Sequence, residues 1–321
     1  MFKKLLMSTG LLAAVVAAPA LAQDGPEPPE GYPTRPIELV VVYPAGGGMD
    51  TNARTIARVA EEMLDHEFRV ANREGGGGLV GHTFLAREAD ADGYTIGVLA
   101  MGNLLTDMIV KGGEFTPEDF DPIAFINFDP VVLITRGETL PELIEQARQD
   151  PGSVRVGITP NSATAIIADI IQEQEDVEFT MVPFQGGGPR ITALLNGTID
   201  MSTAYYAEGD QYYETGDLAP VAVANTVPYP VDPDIPLISD MGIDIPTNAL
   251  GAARFVALPD GVPDDIRNYL AEAMLAVLES EMAAEMFAEQ GLVLSPADPE
   301  QTAEIFEATA ETLQQYMEEP Q

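Results

Sequence analysis

The chain of 321 residues carries 52 acidic against 15 basic residues, a formal net charge of −37, and no cysteine. That balance excludes nucleic acid as a partner, and the absence of cysteine excludes a disulfide framework and a lipid-acceptor thiol. Hydrophobic residues make up 46% of the chain and recur periodically along its length, so the acids belong to a folded surface rather than to a disordered chain, a surface that suits a saline habitat or, as the alternative, a cationic ligand or partner.

Lys3 and Lys4, the apolar run Leu5 to Val16 and the small residues Ala20, Leu21 and Ala22 have the form of a secretory signal peptide, residues 1–22, cleaved before Gln23. Its removal takes two lysines and no acids, leaving 13 basic against 52 acidic residues and a charge of −39 over 299 residues, room for two domains. No later stretch reaches the length of a spanning helix, and a periplasmic location is expected.

Residues 24–36 hold five prolines and form an extended leader. Ile37 to Arg54 then reads strand, loop, helix. Val40, Val41 and Val42 have the continuous apolarity of a strand covered on both faces, Pro44 ends it, and Gly46, Gly47 and Gly48 allow a ligand close to the main chain. Ala53, Ile56, Ala57, Ala60, Met63 and Leu64 follow at helical spacing, so the first free amides of that helix point back into the loop, an anion site in outline. A second strand at Phe68 to Ala71 leads to Asn72, Arg73 and the glycine run Gly75 to Gly78, expected to line a cleft mouth. A helix at His82 to Glu88 and a third strand at Thr95 to Ala100, ending at Met101, Gly102 and Asn103, complete a βα rhythm that implies a parallel sheet.

Two apolar runs, Ile123 to Phe125 and Val131 to Thr135, flank Asp129-Pro130 as a crossing between domains, and the rhythm restarts. Helices are expected at Leu140 to Gln149, Ala163 to Gln172 and Ile191 to Asn196, the last entered from Gly186, Gly187 and Gly188. Strands are expected at Val154 to Ile158, Phe179 to Pro183, Thr198 to Thr203 and Ala219 to Ala224. Tyr205 to Tyr213 suits a short helix over a cleft, with Tyr205 offering an apolar body and one hydroxyl. The proline-rich Pro228 to Pro246 reads as a return crossing, Ala253 to Leu258 as a further strand, and the tail as three amphipathic helices. Two α/β lobes joined by two crossovers place a cleft at the carboxyl ends of the strands.

Gly76 to Gly81 matches a dinucleotide fingerprint in letters only, because the next strand ends at Ala100, Met101, Gly102 and Asn103, without the acid that would hold a ribose. His66 and His82 have no partner at metal-ligand spacing, no Gly-x-Ser-x-Gly elbow occurs, and paired acids arise by chance among so many. Neither a metal, a cofactor nor catalysis is expected. Asp50 would oppose a bound carboxylate if it faced the cleft, so its charge suits a helix N-cap better.

Four segments in order, YPTRPIELVVVYPAGGGMDTNAR, VANREGGGGLVGHTFLAREADADGYTIGVL, VPFQGGGPRITALLNGTID and DPDIPLISDMGID, resemble the periplasmic substrate-binding proteins of tripartite tricarboxylate transporters, the Bug family, over nearly the whole mature chain. The resemblance implies a two-lobed periplasmic-binding-protein fold of mainly parallel sheets: lobe 1 from 23–128 and 247–321, lobe 2 from 129–246. It implies a monomer that closes on a small carboxylate for delivery to the transporter's membrane subunits. Carried over, the first pincer falls on Tyr43, Pro44, Ala45, Gly46, Gly47, Gly48, Met49 and Asp50. The second falls on Phe184, Gln185, Gly186, Gly187 and Gly188, and Ser162 and Thr164 match another cleft-facing loop; Asn103 and Tyr205 join them as candidates. Ala45, Glu74 and Gln185 depart from the family's usual proline, proline and lysine, and the neutral Gln185 leaves ligand charge open. A ligand sensor for a membrane receptor kinase and a periplasmic enzyme of the same fold are the alternatives.

Overall fold

The structure, a computed structural model, describes residues 25–109, 112–160, 162–184, 186–225, 228–245 and 250–318. The signal peptide, its cleavage point at Gln23 and the candidate Gln185 lie outside the described residues. In chain order the strands are β1 (Ile37–Val41), β2 (Phe68–Asn72), β3 (Thr95–Ala100), β4 (Phe120–Thr135), β5 (Arg155–Ile158), β6 (Thr180–Pro183), β7 (Met201–Tyr205), β8 (Ala219–Val223) and β9 (Gly251–Pro259). The helices are α1 (Gly48–Leu64), α2 (Leu79–Arg87), α3 (Met101–Ile109), α4 (Leu140–Gln149), α5 (Ala163–Glu175), α6 (Gly187–Leu195), α7 (Asp210–Tyr213), α8 (Asp264–Glu279), α9 (Glu281–Ala288) and α10 (Pro299–Glu318).

The apolar run of β1 is buried on both faces and pairs in parallel with β2 and β3, with Val41 opposite Asn72 on one side and Val98 on the other. At the far end β5 pairs in parallel with β6 and β7. Antiparallel pairings join these two parallel groups, giving the order β2-β1-β3-β9-β4-β7-β5-β6 with β8 on β4.

The two runs expected on either side of Asp129-Pro130 are one strand. β4 continues for 16 residues through both, pairing with β9 as far as Pro130 opposite Gly251 and with β7 from Val131 opposite Tyr205. Pro130 has no N–H to give to a ladder, and it falls where the strand changes partner. β9 is buried along its whole length, so it returns through the core rather than over it.

The strand expected from Thr198 begins later, at Met201. Gly197 turns with a φ of +77°, and the chain meets β5 only at Asp200, whose N–H donates to the Arg155 carbonyl at 2.8 Å and whose carboxylate accepts from the Arg155 backbone N–H (2.9 Å) and guanidinium (2.6 and 2.9 Å). Gly75 to Gly78 all have positive φ and make a tight turn into α2. Beneath that turn His82 Nδ1 lies 2.8 Å from Asp107 Oδ2, both side chains buried, so this histidine is a core residue.

Apolar packing follows the sheet. β1, β3, α1 and α8 bury Leu39, Val41, Ile56, Val98, Leu270 and Met274 together, whereas Val132, Ile134, Leu194, Tyr206 and Tyr229 form a separate cluster around β4, β7 and α6. A third cluster extends along the sheet from Val40 and Leu99 through Phe125, Leu133 and Phe255 to Val156 and Ile167, packed with α3, α4, α5 and α10.

Candidate functional site

A cavity of about 610 Å³ lies between the start of α1 and the start of α6, with β4, β7 and β9 behind it. On the α1 side the chain leaves β1 through Tyr43 and Pro44, turns at Gly46 with a φ of +82°, and enters the helix with Gly47 as N-cap. A glycine cap has no side chain to give the first-turn amides, which an α-helix leaves without intrahelical partners. Tyr43, Pro44, Gly47, Gly48 and Met49 line the cavity there.

This loop is braced from behind. Asn72 Nδ2 donates to the Tyr43 carbonyl at 3.0 Å, which gives the Asn-Arg after β2 a structural use. Asp50 is not the N-cap expected from its charge but the third residue of α1, buried and turned from the cavity. Its Oδ2 accepts from the Gly46 N–H at 2.9 Å, and its two oxygens accept from Arg54 Nε and Nη2, each at 2.9 Å. Arg54 first, outweighing burial, and Gly46 with it, hold the Asp50 carboxyl below the usual carboxylate range. Its charge is thereby spent on the loop.

On the opposite side Ser162 caps α5. Its hydroxyl donates to the Thr159 carbonyl at 2.7 Å and lies 2.8 Å from Thr164 Oγ1, while Thr164 Oγ1 accepts from the Thr159 N–H at 3.0 Å. Gly186 caps α6 with a φ of +94°, and Gly187 opens that helix. Arg190, 1% exposed in the first turn of α6, donates from Nη1 to Thr159 Oγ1 at 2.7 Å and from Nη2 to Glu208. Glu208 ends a short 3-10 turn, Tyr206–Glu208, directly after β7.

Behind the cavity Arg254 of β9 reaches Asn127 Oδ1 at 3.2 Å and Asp129 Oδ2 at 3.1 Å. Burial raises the Asp129 carboxyl above its ordinary value and outweighs the opposing pull of Arg254. Burial likewise pushes the Tyr205 hydroxyl up to about 12, so it stays protonated and able to donate. Among the residues lining this space, four donors are buried without a partner among the described residues, the Tyr43 hydroxyl, Asn52 Nδ2, Arg190 Nε and Arg254 Nε, and so are the acceptors Asn52 Oδ1 and Asp129 Oδ1. A buried polar group without a partner costs about 1–3 kcal/mol, so this cluster favours a polar ligand or ordered water.

Of the residues expected at the site, Tyr43, Pro44, Gly47, Gly48, Met49, Asn103, Ser162, Thr164, Gly186, Gly187 and Tyr205 line the cavity. Ala45, Gly46, Asp50, Phe184 and Gly188 do not. Ala45, Gly46 and Gly188 are exposed on the outer side of their turns, Asp50 braces the loop, and Phe184 packs on the cluster around β4 and α6. The run Gly75 to Gly78, expected at the cleft mouth, also stays away, because its turn covers the His82–Asp107 pair.

The sequence reading missed Asn52, Asp129, Thr159, Arg190, Glu208, Arg254, Gln290 and Leu292, which also line the cavity. Arg254 carried a signal: a charged residue inside the apolar run GAARFVALP is rarely buried unless it is paired. Gln290 carried none; it arrives from the turn after α9, with Nε2 donating to Thr55 Oγ1 at 2.9 Å. Among the described residues no group of three or more His, Cys, Asp or Glu side chains could hold a metal ion, and no helix is long and apolar enough to cross a membrane.

Comparison with known proteins agrees with this architecture. BugT of Bordetella pertussis is 28% identical over 313 residues, 93% of this chain and 92% of that protein. A TctC solute-binding protein from Polaromonas, solved without ligand, superposes with a TM-score of 0.72 at 27% identity, over 90% of this chain and all of the other. Rpa4515 of R. palustris, solved with adipate, gives a TM-score of 0.78 at 25% identity, covering 89% and 97%. The family model described as tripartite tricarboxylate transporter family receptor, TctC, matches residues 52–319, from the first turns of α1 to the end of α10, and this chain belongs to that family of solute-binding proteins.

Proposed function

We propose that this chain is a periplasmic receptor that holds a small carboxylate in the cavity between α1 and α6 and passes it to the membrane subunits of a tripartite tricarboxylate transporter. The observation that carries the reading is the pairing of an uncapped helix N-terminus with buried, unpartnered donors around one cavity. Helix amides and the helix dipole favour an anion, and the Tyr43 hydroxyl and Asn52 amide supply further hydrogen bonds. Family membership and the adipate found in the R. palustris relative support a carboxylate.

In this reading the lobes are 23–128 with 247–321, and 129–246. The lining residues Tyr43, Gly47, Gly48, Met49, Asn103, Ser162, Thr164, Gly186 and Tyr205 contact the ligand, Gly187 lies beneath the Glu208 carboxylate, and Asp50 and Asn72 hold the first loop in shape. The protein works as a monomer and binds without turnover: the Ser162 hydroxyl donates to the Thr159 carbonyl and Thr164 Oγ1 accepts from the Thr159 N–H, so both serve the turn that starts α5.

A thermal-melt panel of mono-, di-, tri- and amino-carboxylates against sugars and amines tests this. At about 100 times its dissociation constant the cognate ligand adds roughly 2.7 kcal/mol to stability, a readily measured shift. Melting that responds to a sugar or an amine and to no carboxylate would refute the assignment, and chemical conversion of the bound ligand would refute binding without turnover.

A further inference from the structure

The second glycine loop is not vacant. Gly187 begins α6, a nine-residue helix whose N-cap is Gly186, and a Cβ added at Gly187 would overlap the Glu208 carboxylate, its carbon and both oxygens. Glu208 also accepts from Nη2 of the buried Arg190. We propose that Glu208 fills the position at which the second lobe would take an anion. The cleft would then select a ligand with one carboxylate towards α1 and, at its far end, a hydrogen-bond donor, above all an ammonium, in place of a second carboxylate. This rests on the carboxylate reading above and specifies its ligand.

Three further observations point the same way. The Glu208 side chain remains 25% exposed, so it presents negative charge to the cavity while its partner Arg190 is buried behind it. The second cationic group on that side, Arg254, is already matched by the buried Asp129. Both guanidiniums are already held by an acid side chain, so a second carboxylate meets no unengaged cation on that wall. A ligand's second carboxylate would have to evict Glu208 from Arg190 and leave an acid unpaired in a partly closed space. An ammonium there meets the exposed part of Glu208 and evicts nothing. The charge of the mature chain adds a long-range preference, since −39 repels a dianion and leaves a zwitterion without net force.

Two measurements decide the proposal, using the mature protein and its Glu208→Gln and Glu208→Ala variants. Calorimetric titration with adipate and 6-aminohexanoate, equal in length and different at one end, is expected to show the parent binding the amino acid at least tenfold more tightly. Both variants should reverse the order, with adipate gaining at least tenfold. The isosteric Gln variant serves if the Ala variant does not fold. A parent that binds adipate as tightly as 6-aminohexanoate, or variants that keep the parent's preference, overturn the proposal.

Selenate, located by its anomalous scattering in soaked crystals, tests the occupied position without any carbon ligand. It is expected against Gly187 and Arg190 in Glu208→Ala and not in the parent. Selenate at Gly187 in the parent, or in neither protein, overturns the assignment. If neither six-carbon probe binds any of the three proteins, the proposed preference is overturned, while the carboxylate reading stands or falls on the melting panel and the selenate result still decides what Glu208 does.

Discussion

The loops at Gly46 to Gly48 and Gly186 to Gly188 read alike: a short strand, three glycines, an uncapped helix. In the fold they differ in what stands at the first turn of the helix. At α1 the nearby acid, Asp50, is drawn backwards onto the Gly46 N–H and Arg54, and the helix start faces an open cavity. At α6 an acid from far along the chain, Glu208, lies over Gly187 and is tied to Arg190. Glycine permits close approach to the main chain, but it does not specify whether a ligand or the protein's own carboxylate makes that approach.

The difference is most exposed to attack at the two arginines. Arg190→Met removes a fully buried cation and leaves Glu208 with only partial access to water; a loss of roughly 3 kcal/mol is expected, at the low end for a broken buried pair because Glu208 keeps some hydration. Arg54→Met breaks a pair whose arginine is 55% exposed, and about 1 kcal/mol is expected. Urea denaturation of both variants checks this. Equal losses would mean that Glu208 is held no more firmly than a surface acid.

A second pair of substitutions probes the helix starts directly. Gly187→Ala drives a methyl group into the Glu208 carboxylate and should cost about 1–3 kcal/mol by overpacking. Gly48→Ala meets nothing within 4 Å and needs no positive φ, so it should be neutral or stabilise by about 0.5 kcal/mol through the unfolded chain. Thermal melts of the two proteins without ligand give the comparison, and a harmless Gly187→Ala would show that Glu208 swings away freely.

How far this was legible in the sequence follows from the range of each signal. β1, its glycine turn and α1 could be read because apolar runs, helical spacing and glycine act within a few residues. β4 reads as two segments because Asp129 and Pro130 are poor strand residues locally, and only the change of pairing from β9 to β7 makes them acceptable. The charge of Asp50 suits an N-cap, and nothing local shows that Gly47 takes that position. Gly75 to Gly78 resembled the other glycine loops in composition, but the direction of α2 and the buried His82–Asp107 pair are tertiary facts. Glu208 was hidden among 52 acids, and its position over Gly187 depends on how β7 lies beside α6.

Titration sharpens the contrast with a smaller effect. The Asp50 carboxyl is held below its ordinary value, so it contributes stability at neutral pH that is lost as pH falls below about 3.9 towards the folded-state value. Asp129 has the opposite sign. Its carboxyl is raised, so its contribution to the folded state is greatest when protonated and declines as pH rises above about 3.9 through the folded-state value. Asp50→Asn should therefore cost about 1 kcal/mol at pH 7 and flatten the acid limb of a stability–pH curve. Asp129→Asn should instead remove a decline on the alkaline side. Denaturation curves between pH 2 and 8 that shifted the same limb in both variants would contradict the assigned environments.

The smallest effect expected is on a rate, and it depends on the charge each ligand carries past the acidic surface. Raising sodium chloride from about 0.1 to 1 M shortens the screening length from roughly 10 to 3 Å. Association of adipate with Glu208→Ala, the form expected to accept a second carboxylate, should therefore accelerate as the repulsion from a strongly acidic chain is screened. Association of 6-aminohexanoate with the parent should stay within about twofold over the same range, because a zwitterion feels the long-range field only through its dipole. Dissociation should change little for either, since contacts inside the cavity lie closer together than the screening length at moderate salt. Stopped-flow measurement of both pairs separates the field of the whole surface from the chemistry of the cleft. If adipate associated more slowly as salt rose, the mouth of the cavity would be locally positive despite the net charge. The engagement of Arg190 and Arg254 by Glu208 and Asp129 would then fail as an account of what reaches the α6 side.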